Sequence, residues 1–278
     1  MAAIGRFNTL SIVKRADFGL YLDGGEDGEI LLPNRYIPKG CVNSIGDRLR
    51  VFVYLDSEDR LIATTETPRA QVGEFASLKV TDSTPVGLFL DWGLRKDVLL
   101  PHSETKRPLK VGDYCVVYLY LDDHTQRITA TTHLDRQLDR TPADYQPGEA
   151  VELLVAARTD IGFKAIVNGL HWGLIHNNDA FKFLRSGMRE KGYIKEIRDD
   201  GKISLSLQPL GDRGRDALQN LILEKLDTAG GMLPFSDKTP PEAISRAFGV
   251  SKGNFKKAIG ALFRQEMIVI HEDRIELP

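Results

Sequence analysis

The sequence predicts a mainly β fold with a C-terminal α+β domain, on three observations. Phe18-Gly19-Leu20-Tyr21-Leu22-Asp23 and Ile30-Leu31-Leu32-Pro33 return as Val86-Gly87-Leu88-Phe89-Leu90-Asp91 and Val98-Leu99-Leu100-Pro101, both displaced by 68 residues. A weaker third copy, Ile161-Gly162-Phe163-Lys164-Ala165-Ile166 and Gly173-Leu174-Ile175-His176, follows at a further 75. Self-similarity at a fixed period marks one supersecondary unit used several times, and this period suits a small closed β domain rather than a solenoid repeat. From Asp212 onward the apolar period changes from two to about 3.6, so strands give way to helices.

In the first copy, Phe7 to Val13 is apolar and β-branched, Phe18 to Asp23 follows a polar turn, and Glu29 to Leu32 follows the Gly24-Gly25-Glu26-Asp27-Gly28 turn. These read as three strands. Leu49, Val51, Val53 and Leu55 then alternate with Arg50, Phe52 and Tyr54, the mark of a strand with one buried face. Asp56-Ser57-Glu58-Asp59 turns the chain into Arg60 to Thr65. Five short strands with a longer link between the third and fourth are what a Greek-key barrel of the OB type requires.

The second copy repeats the order as Phe75 to Val80, Val86 to Asp91, Asp97 to Leu100, Tyr114 to Leu121 and Arg127 to Thr132. Its fourth strand is expected to bury Cys115, Val117, Leu119 and Leu121. Tyr118 and Tyr120 stand where Phe52 and Tyr54 do, and aromatic pairs at one repeated place suit a domain interface. The third copy opens on Val151, Leu153 and Val155 and closes on Ile203, Leu205 and Leu207. Proline-containing charged linkers at Glu66 to Gln71 and His133 to Gly148 separate the units. The expected barrels are therefore residues 1–67, 70–134 and 146–209, with a last domain at 212–278.

In that last domain Ala217, Leu218, Leu221, Ile222 and Leu226 form one apolar stripe ending at Gly230-Gly231. Thr239-Pro240-Pro241-Glu242 reads as a second helix start, with Thr239 as N-cap, Pro240 at the first helical position and Glu242 completing a capping box. Ser251 caps a third helix with Phe255, Ile259, Leu262 and Phe263 inward. Met267 to Ile270 and Arg274 to Leu277 flank a turn and make a two-stranded wing, so the domain reads as a winged helix. At 100° per residue the third helix gathers Gly253, Lys256, Lys257, Gly260 and Arg264 on one side. Such a face either lets a phosphate chain approach closely or is a solvated lysine face.

The Phe-Gly-x-aromatic second strand, a third strand ending Trp172-Gly173-Leu174-Ile175-His176, and Lys202-Ile203-Ser204-Leu205-Ser206-Leu207 resemble the S-one motif, an RNA-binding OB domain. The copies depart from it differently: Val86 replaces the first aromatic in the second, Ile161 and Lys164 replace the pair in the third, and Pro33 and Pro101 stand at the histidine position. Three such domains before a winged helix resemble the conserved virulence factor B family over essentially the whole chain. That resemblance implies a cytoplasmic RNA-binding protein that influences gene expression, with Phe18, Tyr21 and Phe89 on the stacking surface.

Phe163, Trp172 and His176 with Lys164, Lys182, Arg185, Arg189, Lys191 and Lys195 form the densest basic and aromatic cluster in the sequence, and Phe163, Lys164, Trp172, His176, Lys182, Arg185 and Lys191 complete the candidate single-stranded RNA site. Lys256, Lys257 and Arg264 are candidate contacts to duplex nucleic acid, or that helix docks a protein. The formal net charge is −2, so stacking and local basic patches, not bulk charge, must carry affinity for a polyanion. No leader-like segment or membrane-length apolar run is read in the sequence. No membrane contact, small-molecule substrate, cofactor or metal is expected. Cys41 and Cys115 are expected as reduced thiols. Asp122-Asp123 and Asp199-Asp200 fall in hairpin turns, where aspartate bonds its own backbone, and phosphate-loop, dinucleotide and hydrolase motifs are missing, so no enzyme is expected.

Overall fold

The computed structural model describes residues 1–38, 44–177, 179–180, 182–209 and 212–278, the side chains of 212–216 excepted. Cys41 falls outside this set, whereas Cys115 is free and buried. The chain forms two compact units, Met1–Gln137 and Leu138–Pro278.

In the first unit β1 (Arg6–Ala16), β2 (Gly19–Asp23), β3 (Glu29–Pro33), β4 (Arg48–Leu55) and β5 (Leu61–Thr64) close a barrel in the order β1-β2-β3-β5-β4. A second barrel repeats this ring with β6 (Phe75–Thr84), β7 (Gly87–Asp91), β8 (Val98–Pro101), β9 (Tyr114–Leu121) and β10 (Ile128–Thr131). The opening strands run past their apolar stretch because each serves two partners, β1 bonding β4 along its first half and β2 along its second. The change of partner coincides with a register shift, at Ile12/Lys14 in β1 and Val80/Asp82 in β6. A bulge is the ordinary means of bending a strand around such a corner.

The repeated glycine that opens the second strand has a steric cause. A Cβ on Gly19 would lie 2.3 Å from the Leu32 carbonyl oxygen, and one on Gly87 2.5 Å from that of Leu100. Only hydrogen fits where the second strand leaves the turn against the third.

Both faces of β4 are buried. Val51 and Val53 fill the first barrel, while Phe52 and Tyr54 belong to the apolar cluster of the second. Trp92 meets them edge-on, 5.5 Å from Phe52 and 6.4 Å from Tyr54 between ring centroids. The domain-interface reading therefore holds for Phe52 and Tyr54. In the second barrel Tyr118 instead stacks on Phe75 of the same barrel, at 4.9 Å. The Arg127 guanidinium donates to Asp59 at 2.9 and 2.5 Å, and Lys96 donates to the carbonyls of Leu55 and Asp56 at 3.2 and 2.6 Å. Exposed ion pairs contribute little, whereas each buried aromatic is worth about 1.5–3 kcal/mol. Apolar burial thus holds the barrels together and the polar contacts orient them.

In the second unit β11 (Ala150–Thr159), β12 (Gly162–Val167), β13 (His171–His176), β14 (Arg189–Ile197) and β15 (Ile203–Ser206) form the third barrel with the same ring order. Its parallel closure, β13 on β15, has three residue pairs, where the first two barrels close on one each. His171 is buried and satisfied, Nδ1 lying 2.9 Å from the Tyr145 hydroxyl and Nε2 2.8 Å from the Thr141 carbonyl.

The remainder comprises α1 (Asp212–Thr228), β16 (Met232–Leu233), α2 (Pro241–Phe248), α3 (Lys252–Arg264), β17 (Val269–Ile270) and β18 (Ile275–Glu276). Its core joins Leu218, Ile222 and Leu226 to Ile244, Phe255 and Leu262. Three details differ from the sequence expectation. The wing gains a third strand, in the order β16-β18-β17, because Gly230 and Gly231, both at positive φ, turn the chain back after α1. The second helix begins at Pro241: Pro240 is held extended at ψ 142° by the proline that follows it, and the Thr239 hydroxyl accepts from the Ser236 amide instead of capping. Phe263 is exposed, since Phe255, Ala258, Ile259 and Leu262 already complete the inward stripe of α3. No helix among the described residues is long and apolar enough to cross a membrane.

Candidate nucleic-acid interface

In the first barrel Leu20 and Leu22 take the interior, so alternation turns Tyr21 outward. Phe18, in the turn before β2, is 57% exposed and meets Tyr21 edge-on at 6.0 Å. The Lys14 ammonium lies 5.2 Å from the centre of the Tyr21 ring. Two rings and a cation thus share one outer patch. The second barrel keeps half of this: Phe89 faces outward and is half-buried, and exposed Val86 stands at the place of Phe18.

The third barrel departs further. Phe163 pairs with the fully buried Ile175, and antiparallel partners share a face, so Phe163 packs on the core beside Ala165 and Val167. This corrects its assignment to the outer site: Phe163 occupies the register of Leu20, not of Tyr21. Lys164, Trp172 and His176 do share the outer face of β12 and β13. The Lys164 ammonium sits 3.8 Å over the Trp172 ring, whose buried Nε1 hydrogen has no acceptor among the described residues. Lys191 lies on β14 opposite Glu152 of β11, away from that face, and Arg185 is exposed in the connection before β14.

Lys182 goes elsewhere. It donates to Glu190 at 2.6 Å and borders a cleft of about 1140 Å³ between the third barrel and the winged helix. Lys195 lines the same cleft, as do Lys256, Lys257 and Arg264 from α3. Residues read in the sequence as two separate sites therefore face one space. Lys195 is paired with Asp179 at 2.8 Å and Lys256 with Asp237 at 3.2 Å, whereas Lys257 and Arg264 make no ion pair among the described residues. The Asn254 amide donates to the Gln208 side chain across the junction. Beyond Lys182 the cleft continues into a second recess of about 1040 Å³, lined by Phe183, Arg246 and Lys252. The sequence reading missed these three, although Lys195 belonged to its basic cluster; an aromatic set between Lys182 and Arg185 was the available signal.

Comparison with known proteins places these parts. The model of the S1 domain matches residues 4–66 and 72–133, the first two barrels, and that of the CvfB-like winged helix domain matches 220–277. The Bacillus subtilis protein YitL is 31% identical, covering 94% of this chain and 89% of its own length. Conserved virulence factor B of Staphylococcus epidermidis is 26% identical, covering 99% and 94%. The chain belongs to the conserved virulence factor B family. A crystal structure of a Streptococcus pneumoniae multidomain protein with nucleic acid binding domains is 24% identical, covering 99% of this chain and 98% of that one at a TM-score of 0.44. The third barrel shares the ring order of the first two and the same tight glycine, since a Cβ on Gly162 would lie 2.0 Å from the Ile175 carbonyl oxygen.

Proposed function

We propose that this protein is a non-enzymatic cytoplasmic RNA-binding protein that holds single-stranded RNA on its barrels and winged helix and regulates gene expression after transcription. The observation that carries the reading is the cleft where Lys182 and Lys195 of the third barrel face Lys256, Lys257 and Arg264 of α3. Three of the five are paired, Lys182 with Glu190, Lys195 with Asp179 and Lys256 with Asp237, so in a chain of net charge −2 the local attraction for a polyanion rests on Lys257 and Arg264 and on paired lysines that a phosphate can recruit. The S1 matches and the outward Phe18, Tyr21 and Phe89 add ring faces on which unpaired bases stack without sequence readout.

The alternative is a DNA-binding or protein-docking adaptor acting through the winged helix. Duplex recognition needs a helix free to enter a groove roughly 12 Å wide. Here the cationic side of α3 looks across at Ser206, Leu207, Gln208 and Pro209 of the barrel, which favours a flexible single strand. The acidic doublets support a non-enzymatic reading: Asp122 accepts from the amide and hydroxyl of Thr125, and Asp200 from the amide and ammonium of Lys202.

A salt titration with single-stranded RNA and duplex DNA of equal length tests the proposal. RNA is expected to bind more tightly, and Lys257→Ala to reduce the salt slope by about 0.7. A duplex preference abolished by Lys257→Ala would establish the adaptor instead, and metal-dependent loss of labelled RNA would establish a nuclease.

A further inference from the structure

In the first barrel the outward rings available to a base are the exposed Phe18 and the half-buried Tyr21. The corresponding positions of the third barrel hold Ile161 and Lys164, Phe163 packs on the core, and the Trp172 ring is covered by the Lys164 ammonium at 3.8 Å. The strand face that stacks bases in the first barrel is therefore without an open ring in the third. Phe183, in the connection between β13 and β14, is 78% exposed and its neighbour Leu184 is buried, so the backbone is anchored while the ring projects. It borders the recess that also contains Arg246, Lys252 and Ser251, with Lys182 held beside it by Glu190.

We propose that Phe183 is the base-stacking platform of the third barrel, moved from the second strand to this loop. A base of a single-stranded nucleic acid lies on the ring while its flanking phosphates meet Lys182, Arg246 and Lys252. Arg246 and Lys252 make no ion pair among the described residues, which leaves their charge for such an anion. A bare phenyl ring costs free energy in water, and cations on its border make a peptide ligand of apolar character a poor occupant. An unpaired base satisfies both, offering a flat π face and an attached negative charge. The proposal rests on the RNA-binding reading above and assigns a residue within it.

The test uses the full-length chain with two probes of equal length, oligouridylate and an oligonucleotide of the same backbone without bases. Phe183→Ala is expected to weaken oligouridylate binding by about tenfold, the low end of the loss of one stacked base, and to leave the baseless probe unchanged. Phe183→Trp should restore binding and add fluorescence quenching on saturation. Wild-type affinity in Phe183→Ala, or an equal loss on both probes, overturns the platform while leaving RNA binding intact. A wild-type chain that binds neither probe at low salt overturns the platform and the RNA-binding reading together. Lys257→Ala, at the other end of the cleft, should weaken both probes alike and separates the charge contribution from the ring.

Discussion

The ammonium of Lys164 stands 3.8 Å from the centre of the Trp172 indole, one strand across the outer face of the third barrel. A cation so placed on a partly exposed ring is worth about 0.5–1 kcal/mol. Lys164→Ala should lower stability by that amount and open the indole to iodide quenching. The chain has only one other tryptophan, Trp92, which is buried and should stay dark to the quencher. An unchanged quenching constant in Lys164→Ala would show that the lysine does not cover the ring in solution.

Phe18 and Phe163 should separate binding from folding. Phe18→Ala removes an exposed ring, so it should leave the unfolding midpoint nearly unmoved and cost roughly 1–3 kcal/mol in binding to single-stranded RNA. Phe163→Ala removes atoms packed on the barrel core and should cost stability on the order of 2–4 kcal/mol, with RNA affinity kept in whatever remains folded. Denaturant melts and binding isotherms on both variants decide it; a reversed pattern would put Phe163 back on the surface.

Burial pushes the Cys115 thiol up to about 11, from an unfolded value of 9.0. Because the folded value is the higher one, the unfolded chain ionises first, and the stabilising contribution is complete below pH 9 and fades as pH rises toward 11. In a Cys41→Ser background Cys115 should resist an aromatic disulfide reagent at pH 8 until denaturant is added. Wild type should lose more stability than Cys115→Ala between pH 9 and 11, and equal slopes would mean the thiol is not sequestered.

Trp92→Ala should cost about 3–5 kcal/mol and split the melting of the first two barrels into separate transitions, since it removes the ring shared by Phe52 and Tyr54. Arg127→Ala, which removes only an exposed ion pair to Asp59, should shift the midpoint far less. Calorimetry of the two variants distinguishes apolar from ionic cohesion.

Much of this architecture could be read from residue order, because the same words at a fixed offset define a ring of strands whatever their neighbours are. The aromatic pair Phe52 and Tyr54, repeated in kind at Tyr118 and Tyr120, pointed to the interface, whereas the alternation suggested one buried face and the structure buries both. The site was harder to read. Lys182 and Lys256 are far apart in the chain, and nothing local says that they border one cleft; only packing brings them together. Phe163 was misplaced because composition ranks it with Trp172, whereas register pairs it with Leu20. Residue type alone puts Pro240 at the first helical position, but the proline that follows holds it extended and moves the helix start to Pro241.

The apolar cluster that takes Phe52 and Tyr54 from one barrel and Trp92 from the other bears on how this protein can be dissected. A cut in the linker near Pro68 would leave each half with a greasy wound where its neighbour had been. Fragments that begin or end there are poor reagents for assigning activity, and the smallest dependable piece from this half of the chain is the doublet.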